Sequence, residues 1–238
     1  AEQGSGDTLQ FCRYAPLVAE QGARVILEVQ PSLAKLCEVS FPGIQVIAHG
    51  TPLPQFDAHC PLMTLPHAFR TELKNIPSPQ PYLSVPASSR RHWSERLGPR
   101  TRPRIAFVWA GSSSHQEDSF RSVPLESLLP LLSRPDIQAV SLQKERDEGQ
   151  ARALGAIPGL IDLSPEIHDF CDAAAVLLES DLLIAVDTAV AHLGGALGVP
   201  TWILNRFNTD WRWLLDRHDS PWYPSAVRLF RQTAFGDW

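Results

Sequence analysis

Leu182-Leu183-Ile184-Ala185-Val186-Asp187-Thr188-Ala189-Val190-Ala191-His192-Leu193-Gly194-Gly195-Ala196-Leu197-Gly198 decides the fold class. Its first five residues are an unbroken apolar run, the pattern of a strand buried on both faces of a parallel sheet. Asp187 and Thr188 end that run, and a helix of small residues is predicted over Val190 to Leu197. Strand, tight turn and helix put the turn at the carboxyl edge of a sheet, where open α/β folds bind ligands. The free N–H groups and positive dipole end of the helix make Asp187, Thr188 and Ala189 a cradle suited to a diphosphate. His192 lies one turn along the same face and leans back toward the helix start. The plainer alternative is an ordinary strand–helix unit with Asp187 as its N-cap.

The same alternation extends outward. Strands are predicted at Arg104 to Trp109, Ile137 to Leu142, Leu160 to Leu163, Thr201 to Leu204 and Val227 to Phe230. Helices are predicted at Leu125 to Leu132, Glu145 to Leu154 and Ile167 to Leu178. A shorter first series has a helix from Thr8 to Glu20, a strand from Arg24 to Val29, a helix from Ser32 to Val39 and a strand from Ile44 to Ala48. Phe56 to Leu65 reads as a short strand leading into a helix at Pro66 to Leu73, and Tyr82-Leu83 as a last short strand. Between the two series the chain turns polar and basic, with Arg90, Arg91, Arg96, Arg100 and Arg102 among prolines and serines. The expected organisation is therefore α/β, with two Rossmann-like parallel-sheet lobes facing a cleft. The N-terminal lobe is 1–85, the linker 86–103 and the C-terminal lobe 104–238. No strand precedes Gly4 and the end carries no stop signal, so the sequence reads as a piece of a longer polypeptide.

Composition narrows the function. A formal charge of -5 does not suggest a nucleic-acid partner. No apolar run approaches the ~20 residues of a membrane span. Cys12, Cys37, Cys60 and Cys171 are scattered without a CxxC pair, which fits reduced thiols in a cytoplasmic protein and neither a metal site nor a catalytic thiol.

Three further stretches carry chemistry. Gly4-Ser5-Gly6-Asp7 opens a helix, so its backbone could approach an anion or a sugar. The third glycine of a dinucleotide fingerprint is replaced by Leu9, which disfavours a nicotinamide cofactor. Asp7 reads either as a helix cap or as a general base in an interdomain cleft. Trp109-Ala110-Gly111-Ser112-Ser113-Ser114, ending in Arg121-Ser122, follows a strand. Ser112 and Ser113 offer hydroxyls there, and Arg121 offers a phosphate-pairing fork. Gln143 and Lys144 follow the next strand and suit either a nucleotide or a solvated turn. These loops share one sheet edge with Asp187, which makes a nucleotide-diphosphate site more credible than any single motif.

The Gly4-Ser5-Gly6-Asp7 turn, the Trp109-Ala110-Gly111 loop with Arg121-Ser122, and Asp187-Thr188-Ala189-Val190-Ala191-His192 resemble the heptosyltransferase-like family 9 of glycosyltransferases. The tail Asp210-Trp211-Arg212-Trp213-Leu214-Leu215, with Ser220-Pro221-Trp222-Tyr223-Pro224, resembles its bacterial branch fused to tetratricopeptide repeats. The resemblance implies a GT-B fold, a nucleotide-diphosphate sugar as donor on the second lobe, and an acceptor on the first. It implies hexosyl or heptosyl transfer with inversion and without a metal or other cofactor. Asp7 would be the base; Ser112 or Ser113, Arg121, Asp187, Thr188 and His192 would hold the donor. The chain has no D-x-D pair, so helix N-termini and the cations Arg121 and Lys144 would stabilise the leaving diphosphate. The resemblance leaves the acceptor open and suggests a protein or a saccharide. Two other readings are a non-catalytic GT-B-like binding module, with Trp109, Trp202, Trp211, Trp213 and Trp222 as a recognition surface, and a sugar-nucleotide epimerase.

Overall fold

The computed structural model describes residues 3–79, 81–112 and 118–238. The helices are α1 (Ser5–Phe11), α2 (Ala15–Glu20), α3 (Pro31–Ser40), α4 (Leu65–Ala68), α5 (Ala87–Leu97), α6 (Asp118–Arg121), α7 (Leu125–Leu132), α8 (Glu148–Gly155), α9 (Phe170–Leu178) and α10 (Ala189–Ala196). The strands are β1 (Ile26–Val29), β2 (Gln45–Ala48), β3 (Arg104–Val108), β4 (Gln138–Ser141), β5 (Ile161–Asp162), β6 (Leu182–Val186), β7 (Thr201–Asn205) and β8 (Val227–Arg231).

Strands β3 to β8 form one six-stranded parallel sheet in the order β5-β4-β3-β6-β7-β8. Counted from β3, this is the 3-2-1-4-5-6 order of the doubly wound fold, whose topological switch point lies between the first and fourth strands. Here those are β3 and β6, paired from Ile105 with Leu182 to Val108 with Ala185. Their apolar residues divide by the period of two expected of a strand. Ala106, Val108, Leu183 and Ala185 face the core beneath α5, α9 and α10. Phe107, Trp109, Ile184 and Val186 face the core beneath α7 and α8.

The first lobe departs from the expected Rossmann pattern. Its sheet has two strands, β1 and β2, paired in parallel from Ile26 with Gln45 to Val29 with Ala48. Phe56 to Pro61 forms no strand, and the chain goes through a 3-10 turn at Leu62–Thr64 into α4. Tyr82-Leu83 is also irregular; the Tyr82 N–H bonds to the Ala196 carbonyl at the end of α10 instead of joining a sheet. The predicted helix from Thr8 to Glu20 is broken at Cys12–Tyr14, where the chain tightens into a 3-10 turn ahead of Pro16. Between the lobes α5 packs on α9.

One apolar core runs through both lobes, joining Leu9, Val29 and Leu33 to Ala191, Leu193 and Trp213. Its seam is the contact of α1 with α10, which small residues make possible. A Cβ on Gly6 would lie 3.0 Å from the His192 ring and 3.5 Å from the Ala189 Cα. The seam is bolted by Arg13, which is 2% exposed. It donates to the carbonyls of Gln10 (2.7 Å), Pro77 (3.1 Å) and Trp222 (2.7 Å), and to the Tyr82 hydroxyl (2.8 Å). Its guanidinium lies over the rings of Tyr82, Tyr223 and Trp222, 4.5–5.6 Å from their centroids.

On the sheet side of α10, a Cβ on Gly194 would meet Thr201 Oγ1 at 2.5 Å, and one on Gly195 would meet the Tyr223 ring at 2.6 Å. Glycine inside a helix costs roughly 0.5–1 kcal/mol against alanine. Overpacking a filled core costs typically about 1–3 kcal/mol. We therefore expect Gly195→Ala to destabilise the protein by about 1–2 kcal/mol despite the better helix former. Urea unfolding checks this; a midpoint equal to or above the parent's would show that Tyr223 yields freely.

Candidate active site

The switch point puts the turn after β6 beside the loop after β3. Asp187 follows β6, and Thr188 is the N-cap of α10 in an extended conformation (φ -139°, ψ 170°). The Thr188 hydroxyl does not cap the helix, and its oxygen is buried with no hydrogen-bond partner among the described residues. Across the crevice, Arg121 donates from Nε to Asp118 (2.9 Å) and from Nη1 to the Asp187 carbonyl (3.0 Å). Gly111 makes room for it, because a Cβ there would overlap the guanidinium. Arg121, Asp187, Thr188 and Ala189 are thus brought together.

The other second-lobe candidates are placed differently. Gln143 is buried and serves as a brace, not a surface contact. Its Oε1 accepts from the Trp109 and Ala110 N–H groups (3.0 and 2.9 Å), and its Nε2 donates to the Ala110 and Glu145 carbonyls. It holds the β3 loop to the β4 loop. The Lys144 ammonium is turned to the Ser164 and Ile167 carbonyls at 2.9 and 2.6 Å, and so ties down the chain after β5. Ser112 donates to Glu145 at 2.8 Å. Ser113 lies outside the described residues.

His192 is 4% exposed and lies inside the seam, away from the open edge. Its Nδ1 is bonded to the Tyr223 hydroxyl at 2.9 Å and its ring stacks on Trp213 at 5.2 Å. Burial pushes its imidazole down to about 3, and Arg212 and Arg13 act the same way. It is neutral at ordinary pH, so its approach to Asp187 (Nε2 to Oδ1, 3.8 Å) is neither an ion pair nor a hydrogen bond. Burial pushes the Asp187 carboxyl up, against the pull of the Trp213 indole and of Arg121 and Arg212.

Asp7 comes from the other side of the seam. It sits in the first turn of α1, where one carboxylate oxygen accepts the Gly4 N–H at 3.0 Å, so the capping reading of Asp7 is realised. The other oxygen is ion-paired with Arg212, a residue the sequence reading did not single out. Gly4, Ser5 and Gly6 do not form an open anion loop: Ser5 and Gly6 belong to α1, and Gly6 is spent on close packing against His192. Beside this pair lies an open groove of about 520 Å³, with Leu73 of the first lobe facing Asp210, Trp211, Leu214 and Leu215 of the second. Of the five tryptophans considered as a recognition surface, Trp109, Trp213 and Trp222 are buried; Trp202 and Trp211 are exposed. Among the described residues no cluster of three or more histidines, cysteines or carboxylates could hold a metal, and no helix is long and apolar enough to cross a membrane.

Two parallel sheets sharing one core, the larger in doubly wound order, match the GT-B glycosyltransferase fold. The particular likenesses are to family 9 enzymes. The family 9 glycosyl transferase of Veillonella parvula covers 98% of this chain with a TM-score of 0.67 at 12% identity, over 85% of its own length. The heptosyltransferase WaaC of E. coli, solved with ADP, covers 99% with a TM-score of 0.57 at 15% identity, over 92% of its length. The iron-containing dodecameric glycosyltransferase TibC of E. coli covers the whole chain with a TM-score of 0.58 at 14% identity, over 63% of its length. In sequence, the chain is 28% identical to Protein FlbA of Caulobacter vibrioides along its full length, but spans only 43% of that protein. No protein-family model matches.

The neutral His192 gives a pH prediction. Its folded value of about 3 lies below the unfolded 6.5, so the unfolded chain binds the extra proton between them. Stability is therefore lost as pH falls through that window, by up to about 1.4 kcal/mol per pH unit for this group. The raised Asp187 works in the opposite sense, from its ordinary carboxylate value upward. His192→Gln is expected to flatten the dependence of unfolding temperature on pH below 6.5. An unchanged slope would place the acid sensitivity elsewhere.

Proposed function

We propose that the protein transfers a sugar from a nucleotide-diphosphate sugar to a hydroxyl of a protein or saccharide acceptor, with inversion and without a metal ion. The observation that carries this reading is the Thr188 hydroxyl, buried at the start of α10 without a partner among the described residues. Buried polar atoms are nearly always bonded. A phosphate oxygen at this helix start would meet the Thr188 hydroxyl and the first N–H groups of α10 together, with Arg121 beside them. The donor half is then 104–238, the acceptor half 1–85, and 86–103 joins them. The scattered, unpaired cysteines support a cytoplasmic site for the reaction.

Asp7 is the base. Its carboxylate takes the proton of the acceptor hydroxyl while that oxygen attacks the anomeric carbon from the face opposite the diphosphate. The bond from the anomeric carbon to the phosphate oxygen breaks, and the nucleoside diphosphate leaves with its pair of electrons. Arg121 and the α10 dipole stabilise the charge on it. The acceptor approaches along the groove, whose wall residue Asp210 shares the Arg212 cation with Asp7.

Thermal unfolding with a panel of nucleoside diphosphates, without and then with magnesium, tests the donor half. One of them at about 100 times its dissociation constant is expected to add roughly 2.7 kcal/mol without magnesium. Thr188→Val is expected to weaken that ligand about tenfold, the worth of roughly one hydrogen bond. For the acceptor half, Asp7→Asn is expected to cut transfer by about 10²–10⁴ while diphosphate binding holds. No shift with any diphosphate refutes the donor site, and normal turnover by Asp7→Asn refutes the base.

A further inference from the structure

Arg212 is 9% exposed and lies on the short turn Trp211–Trp213 that follows β7. Each nitrogen of its guanidinium has its own acceptor. Nη2 is paired with Asp7, Nε donates to Gln10 Oε1 at 2.8 Å, and Nη1 donates to Asp210 Oδ1 at 3.0 Å. The backbone N–H of Arg212 bonds to that same Asp210 oxygen at 3.0 Å. The centre of the fork lies 4.6 Å from the centroid of the Trp211 ring.

Two of the three acceptors, Asp7 and Gln10, are on α1 in the opposite lobe. Packing does not need this clamp to seat α1, since Leu9 and Phe11 are already fully buried beside it. What the clamp adds is orientation. An aspartate side chain has two rotatable bonds, and Asp7 has one oxygen on Gly4 and the other on Arg212, so both are fixed. The clamp also ties Asp7 to Asp210, a wall of the groove.

We propose that Arg212 is the positioning residue for Asp7, locking the carboxylate in the orientation from which it takes the acceptor proton; this rests on the glycosyl-transfer reading. Arg212 acts through Asp7 and not on the donor. A lysine keeps the charge but reaches one acceptor at a time, so it cannot reproduce the fork.

The test measures nucleoside-diphosphate release from the nucleotide sugar whose diphosphate binds, with a panel of saccharides and hydroxyl-bearing peptides present as acceptors, using the whole chain as parent, Arg212→Lys, Asp7→Asn and the double variant. Arg212→Lys is expected to unfold within a few degrees of the parent. Its kcat is expected to fall by about 10²-fold, the scale of an ångström's misplacement, while the donor KM moves by less than about threefold. Because Arg212 works through Asp7, the double variant is expected to be no slower than Asp7→Asn alone. Parental kcat in Arg212→Lys, a loss confined to KM, or additive losses in the double variant would each overturn the positioning role while leaving sugar transfer standing. If the parent releases no diphosphate from any nucleotide sugar, the glycosyl-transfer reading falls and this inference falls with it.

Discussion

A guanidinium buried in the join between two sheets holds the rest of this structure in register. Desolvating Arg13 costs several kcal/mol, which only fully made hydrogen bonds can offset. It finds three carbonyls and a phenol, drawn from α1, the irregular chain at Pro77 and Tyr82, and the segment before β8. Moving any of these would leave buried polar groups unpaired, at about 1–3 kcal/mol each. The seam therefore admits one register of α1 on α10. That register sets Gly6, the neighbour of Asp7, against Ala189 and His192 at the start of α10.

The electrostatics of the crevice follow from the same seam. His192 packs at the seam against Gly6 as an uncharged aromatic ring, held by Tyr223 and Trp213. A charge there would sit beside Arg212 and Arg13, and both push its proton off. The working cations stand at the rims instead. Arg121 is braced by Asp118 and the Asp187 carbonyl, and Arg212 by Asp7, Asp210 and Gln10. Both are held in one orientation by these partners, the pre-organisation that the proposed transfer would use.

Much of the fold was legible in the sequence, for identifiable reasons. Strands buried on both faces read as apolar runs, so β3 and β6 were visible, and Asp187 marked where the sheet edge falls. The first lobe was harder because β1 and β2 make a sheet of only two strands, and its other apolar stretches pack as turns and irregular chain. At the site, residues near one strand end were found together, because sequence order places them there. Arg212 and Arg13 were missed. Their acceptors on Asp7 and Trp222 lie 205 and 209 positions away along the chain, and no local pattern separates a buried arginine from a solvated one. Gln143 and Lys144 were located on their loop with two roles left open, since a polar residue on a loop looks the same whether it braces the loop or faces a ligand. A buried arginine flanked by Trp211 and Trp213 was the one available hint, because a cation between aromatic residues can be sheltered by them.

The continuous core has a consequence for how this architecture can be divided. Two lobes that each closed their own core could be expressed apart and could swing about the stretch between them. Here Leu9, Leu33, Ala191 and Trp213 belong to one apolar cluster, and α1 lies on α10 with no side chain on Gly6 to separate them. Such a core couples the stability of one sheet to that of the other. A boundary drawn by function between acceptor and donor halves is then not a boundary for folding. A cut there would leave each piece with the face of an unmatched helix open to water, and recombining pieces from different relatives would succeed only where that one seam is carried over whole.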